Sequence, residues 1–426
     1  MKTIINILCI FIATVGAAQY APAPQQSKSI LIFNATAHLG TGEVIEHAAV
    51  GFKNGKIELV GDAHTIKLSA QAYDQTIDAN GQHLYPGFIA PAIHLGLIEM
   101  EAVRATSDYM EVGDINPHVR SLIAFNTESE IIPTVRANGV LLAQPTPEGG
   151  VISGTSCVVQ LDAWNWEDAA IKAEDGVHLH WPQPYHRSAN GLENNAQYND
   201  EKKSIQYFFD KAKAYAAGHD DVDPRLEAMI PVIIGTSNLY IHANNERQII
   251  EAIQFKKANH IAHMHIVGGN DAAWVTELLK EENIGVMIPR VHRLPQYAGD
   301  EIDAPFSLAK QLHDAGVLFC FQNSGDMEAM NSRNLPFLAG TAVGHGLPYE
   351  EAVKSLTLNA AKILQIDQDY GSIEVGKSAT FFLSSGDALD MRTNQLTHAF
   401  IDGREITLRN RQFDLYDKYQ KKYSQK

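Results

Sequence analysis

Three rhythms of apolar and polar positions divide the chain. Between residues 29 and 84 the apolar runs are short and alternating, at 30–33, 49–52 and 57–60. A period of two places successive side chains on opposite faces of a strand. Asn54-Gly55 separates the last two runs. This is the pair a two-residue hairpin favours, because both central positions need positive φ. From residue 85 the rhythm changes. Apolar runs at 139–143, 229–234, 263–267, 285–288 and 316–321 alternate with amphipathic stretches such as 246–257 and 271–282. Strand-like runs separated by helical stretches predict βα units on a parallel sheet, and the region is long enough to close as a barrel. After residue 364 the strand pattern returns at 380–383 and 398–401, and Asp402-Gly403 supplies another hairpin turn. The predicted plan is therefore α/β: a β segment over 29–84, a barrel over 85–364 and a second β segment over 365–412. Chain termini often lie close together, so the two β segments are expected to combine into one small sandwich. Residues 20–29, with Pro22, Pro24 and two glutamines, read as a flexible lead-in, and residues 416–426 as a solvated tail or terminal helix.

The N-terminus adds a location. Lys2 precedes a mostly apolar run over 4–15, and Gly16, Ala17 and Ala18 follow. That is the pattern of a signal peptide, residues 1–18, with cleavage expected after Ala18, and it implies export to a periplasm or the exterior. The run is too short for a permanent membrane span, and no later stretch is longer and apolar enough. A net charge of −16 argues against nucleic acid and against anionic lipid as partners, since both need a basic surface. The mature chain would keep Cys157 and Cys320. Both sit in apolar surroundings, where two buried thiols are the expected state, although an oxidising compartment would permit a pair. No glycine-rich phosphate loop and no serine nucleophile elbow is present.

The landmarks resemble those of the amidohydrolase superfamily, in its imidazolonepropionase-like branch. Asn54-Gly-Lys-Ile57 and Val60-Gly61 resemble that family's opening, and Tyr85-Pro-Gly-Phe-Ile89 the entry to its first barrel strand. Arg333-Asn-Leu-Pro-Phe337, Leu358-Asn-Ala-Ala-Lys362, Gly371-Ser-Ile-Glu-Val-Gly-Lys377 and Phe400-Ile-Asp-Gly-Arg404 resemble its closing segments. The resemblance covers nearly the whole mature chain. It implies a TIM-type (β/α)8 barrel flanked by a composite β-sandwich. It also implies metal-assisted hydrolysis of non-peptide C–N bonds, in which a metal-bound water attacks a polarised carbonyl.

The family's ligands are a His-x-His on the first strand, a Lys or Glu on the fourth, histidines on the fifth and sixth and an Asp on the eighth. Here Ala92 stands at the first histidine, His94 at the second, His242 on the fifth strand, Gly268 at the sixth-strand histidine, and Ser324 or Asn323 at the eighth-strand Asp. No fourth-strand ligand is apparent. The resemblance thus implies metal ligation by His94 and His242, with His263 and His265 as further candidates. Asp326 becomes a displaced acid–base group, and Asn244, Asn323 and Ser324 become substrate contacts. His178 and His180 form a second His-x-His, for which packing is the competing reading. One divalent metal, zinc by its imidazole ligands, is expected if the set is rebuilt, and none if it is not. Two functions follow. One is a hydrolase of small amide-type molecules. The other is an inactive binding subunit, as a homo-oligomer or beside an active related amidohydrolase.

Overall fold

The computed structural model describes residues 21–66, 70–188, 191–297, 299–325 and 327–424, so the expected signal peptide lies outside the described residues. Eight strands follow one another in a single sheet: Phe88–Ile93, Val140–Pro145, Ile152–Gln160, Ala170–His180, Asn238–Ala243, Met264–Gly268, Val286–Ile288 and Phe319–Phe321. They are numbered below as barrel strands one to eight. Strands one and two pair in parallel, as do four through eight. Strand three runs antiparallel to both neighbours, which strict βα alternation does not predict. The cause is the link. Residues 146–151 contain no helix and suit a hairpin, whereas a parallel crossover needs a dozen residues or more. Among the described residues strands one and eight share no ladder, so the barrel is nearly closed.

The interior is filled by Leu142, Val158, Tyr240, Val267, Met287 and Cys320, packed with Ala360, Ala361 and Ile363 from the helix Leu358–Ile363. That helix sits at the N-terminal end, where the Asn238 amide donates to the Ile363 carbonyl at 3.1 Å. The run at 229–234, expected as a strand, is instead the short helix Ile230–Ile233. Pro231 occupies its first turn, a position that tolerates the missing N–H, and the fifth strand begins only at Asn238. Cys157 on strand three and Cys320 on strand eight are buried free thiols.

The N- and C-terminal β segments share one eight-stranded sheet, in which Phe381–Ser384 pairs with His83–Pro86 and that strand with Ile30–His38. Phe52 lies three strands from Phe381 and four from Phe400 along the sheet, which would be at least about 14 Å in a flat sheet. Yet its ring centroid is 5.1 Å from each. The sheet therefore folds over on itself and encloses its own core, as a sandwich does. Both hairpin turns form as the sequence requires, with φ of 49° and 78° at Asn54-Gly55 and 49° and 72° at Asp402-Gly403.

The lead-in is not loose over its described part. The Ala23 amide donates to Asp162 at 2.8 Å, and Gln26 accepts from the Gly55 amide at 2.7 Å. Asp162 is buried, and Arg136 and Arg404 both pair with it, which ties barrel, sheet and N-terminal segment together. The terminal stretch forms the helix Arg411–Ser424, which buries no residue.

Candidate active site

The C-terminal ends of the parallel strands open on one face, where a cavity of about 230 Å³ is lined by His94, Glu148, His180, His242, Asn244 and Ser324 among others. Strand geometry explains the gathering. His178 and His180 are two apart on strand four and share a face, and the ladder sets Tyr240 beside His178 and His242 beside His180. Two aromatic layers result. In the lower one the rings of His178 and Tyr240 stack at 4.7 Å; in the upper one His180 and His242 stack at 4.1 Å with 21° between planes. His178 Nδ1 joins the layers, 3.0 Å from His242 Nε2. Asn244 is held just beyond by the helix Glu246–Asn259. Asn245 caps that helix, and Gln248 accepts from the Asn244 amide at 3.0 Å while donating to the Trp181 and Pro182 carbonyls.

On the opposite wall His94 stacks on Tyr109 at 4.4 Å, and its Nε2 lies 3.0 Å from Glu148 Oε2. The hydrogen bond from His94, more than anything else, holds the Glu148 carboxyl below its ordinary range. The carboxylate is therefore the acceptor, and His94 carries its proton on Nε2. Burial, reinforced by neighbouring imidazoles, holds His178 and His242 well below the usual histidine value, and burial lowers His180 as well. These three rings are neutral. The Nε2 atoms of His178 and His180 are buried and have no hydrogen-bond partner.

Ala92, at the vacated histidine position, has φ of +48°, a left-handed conformation that costs an L-residue about 1 kcal/mol or more. Its amide donates to Gln144 Oε1 at 2.8 Å. Gln144 Nε2 in turn donates to the buried Asp175 at 2.7 Å, which also accepts from Tyr240 at 2.7 Å and pairs with Lys172 at 2.8 Å.

The other candidates fall elsewhere. His265 lies one layer below the mouth beside Tyr240, where its Nδ1 accepts from the Gly285 amide at 3.0 Å and burial pushes its pKa down to about 3. His263 precedes strand six at the opposite end of the barrel and is exposed, so the alternating pair does not share a site. Asn323 is buried and donates to Glu328 at 3.0 Å, and Glu328 also pairs with Arg290 at 2.6 Å; Asn323 is not among the cavity-lining residues. Ser324 and Asn244 do line the cavity, and Asp326 lies outside the described residues. Sequence reasoning missed Glu148. Its signal was a carboxylate placed just past the apolar run of strand two, where barrel enzymes carry their chemistry.

An amidohydrolase family model matches residues 235–406. Adenine deaminase of Clostridium botulinum is 25% identical over 397 residues, covering 88% of this chain and 57% of that protein. Imidazolonepropionase of Syntrophobacter fumaroxidans is 24% identical over 399 residues, covering 82% of this chain and 86% of its own length. An amidohydrolase from Thermotoga maritima, of known structure, superposes with a TM-score of 0.75 at 25% identity, covering 89% of this chain and all of that one. Over most of its length the chain is similar to proteins of the amidohydrolase superfamily. It spans little more than half the length of the adenine deaminase it matches.

Members of this superfamily are generally metal-dependent, so the fit of these side chains to an ion can be tested on their geometry. Imidazole lone pairs lie in the ring plane. The lone pairs of stacked His180 and His242 therefore lie in near-parallel planes, which do not converge on one point between the rings. His242 Nε2 is engaged by His178, and His94 Nε2 by Glu148. Among the described residues no three His, Cys, Asp or Glu side chains converge as ligands. A structural or catalytic zinc site needs about three protein ligands, and this arrangement does not supply them.

Proposed function

We propose that the chain hydrolyses non-peptide carbon–nitrogen bonds of small molecules in the cavity at the barrel mouth, with His94 and Glu148 as its acid–base pair. The observation that carries this reading is the 3.0 Å contact between His94 Nε2 and Glu148 Oε2 inside that cavity. An ionised carboxylate that accepts from one imidazole nitrogen fixes the ring's tautomer and leaves the other nitrogen basic. That nitrogen takes a proton from the attacking water and returns it to the departing nitrogen, a role worth about 10²–10⁴ in rate. Ser324 and Asn244 offer hydroxyl and amide donors to the carbonyl-type oxygen. The finer reading, one zinc ion on His94 and His242, would have to use their Nδ1 atoms, because both Nε2 atoms hold protein partners. The adenine deaminase and imidazolonepropionase relatives support a C–N hydrolase of small substrates.

The test is a panel of small cyclic amides, lactams and amino-substituted heterocycles, assayed for ring opening or ammonia release. Turnover is expected, with kcat about 100-fold lower in Glu148→Gln. Full turnover in both Glu148→Gln and His94→Gln would overturn the pair. Absence of turnover on every substrate would favour the second reading, a binding subunit working as a homo-oligomer or beside an active related amidohydrolase. The motive for that reading is Ala92, Gly268 and either Ser324 or Asn323 at three ligand positions of the family. Export also belongs to the proposal: the pattern over residues 1–18 supports a mature chain starting near Gln19, and mass spectrometry of protein from the native host checks it. Among the described residues no helix is long and apolar enough to cross a membrane.

A further inference from the structure

The disagreement between this mouth and a metal-binding one leads further. We infer that the mouth carries no resident metal ion and that a lattice of imidazoles, His178 to His242 to His180, organises it instead. The inference rests on the same cavity as the proposed hydrolase. Each of the two links excludes coordination in its own way. In the His178–His242 hydrogen bond one ring nitrogen must carry the proton and the other must spend its lone pair on it, so neither is free for an ion. In the His180–His242 stack the lone pairs lie in two near-parallel planes, so the pair does not close on a shared ion.

The positions that would rebuild a metal site are closed by the backbone as well as by residue identity. Gly268 has φ of +104°, and a Cβ there would stand 2.3 Å from Asn244 Oδ1, so a sixth-strand histidine cannot be restored without displacing Asn244 from the cavity wall. Ala92 holds its own left-handed conformation through the Gln144 amide bond. His94, the remaining first-strand histidine, is turned to Glu148. Strand one is thus turned to Glu148 and strand five to His178, strand six has no room for a ligand side chain, and of the two strand-four imidazoles one is hydrogen-bonded to His242 and the other stacked on it.

The experiment uses the full mature chain, purified without added metal and dialysed against EDTA. Inductively coupled plasma mass spectrometry is expected to find less than about 0.1 equivalent of zinc, manganese, iron or nickel before and after dialysis. Zinc titration is expected to bind no stoichiometric ion, and the melting temperature to stay the same in EDTA and in zinc. Proton NMR is expected to show a slowly exchanging ring N–H that disappears in His178→Phe while the rest of the spectrum keeps its dispersion. One equivalent of zinc that survives dialysis and is lost in His180→Ala or His242→Ala would overturn the inference, as would a melting temperature raised by zinc in the parent and not in those variants. The outcome separates from that of the hydrolase reading. Turnover abolished by EDTA and restored by zinc would sink the metal-free mouth and keep the hydrolase. Absence of turnover would sink the hydrolase, while the metal count still decides the mouth.

Discussion

Two polar layers sit a few residues apart inside the same barrel, and they treat their polar atoms differently. In the lower layer Asp175 has every oxygen in use: Lys172 on one, Gln144 and Tyr240 on the other. In the upper layer His180 leaves a buried Nε2 atom with no partner, as does His178, which joins the two layers. A buried polar group without a partner costs roughly 1–3 kcal/mol, so a fold that only needed stability would fill or replace it. The lower layer is a fastening. It links strands two, four and five and reaches the strained Ala92 through Gln144. The upper layer keeps hydrogen-bonding capacity in reserve beside a cavity, as a place that receives a small molecule does.

The comparison is most exposed at Asp175. Asp175→Ala removes at once the carboxylate shared by Lys172, Gln144 and Tyr240, leaving each only its weaker neutral partners, and should lower stability by about 3 kcal/mol in urea denaturation. A loss under about 1 kcal/mol would show that the lower layer does not fasten the barrel. Glu148→Gln at the mouth should act the other way round. Turnover should fall about 100-fold while stability changes by less than about 1 kcal/mol, because Glu148 is half-exposed and the amide still bonds His94. A large drop in stability instead would make the upper site a fastening too. Ala92→Gly relieves the φ of +48° but adds chain entropy in the unfolded state. It should raise stability by about 0.5 kcal/mol, and a clear loss in thermal unfolding would mean that the Ala92 methyl packs more than its conformation costs. His263→Ala, exposed at the far end, should move neither stability nor turnover beyond about 0.5 kcal/mol, and a measurable effect on turnover would revise its placement.

How much of the site was legible follows from the range of each signal. His94 and His242 could be read because each ends an apolar strand run and matches a family position. Ser324 and Asn244 follow their strands closely enough to be placed near the mouth. Glu148 carried only one local signal, its place just past strand two, which a solvated glutamate would share; its contact with His94, from the neighbouring strand, gives it a role. His178 and His180 were visible as a pair, but their position depended on counting strands. The antiparallel third strand turned the stretch that carries them into strand four. His263 and His265 show the converse. Alternation promised a shared face, but strand six begins at Met264, which leaves His263 in the solvent below it.

By itself the sequence determined what neighbours along the chain decide. The Asn54-Gly55 and Asp402-Gly403 turns, the strand and helix periods and the family landmarks all rest on interactions within a few residues, and those hold wherever the segment sits. Tertiary structure decided the rest. It made 229–234 a helix, docked Ala23 against Asp162, folded the terminal strands into one sheet and stacked His180 on His242. Each of these depends on which distant residue a side chain or ladder meets. Register across strands, unlike the period along one, is set only when the whole core is packed.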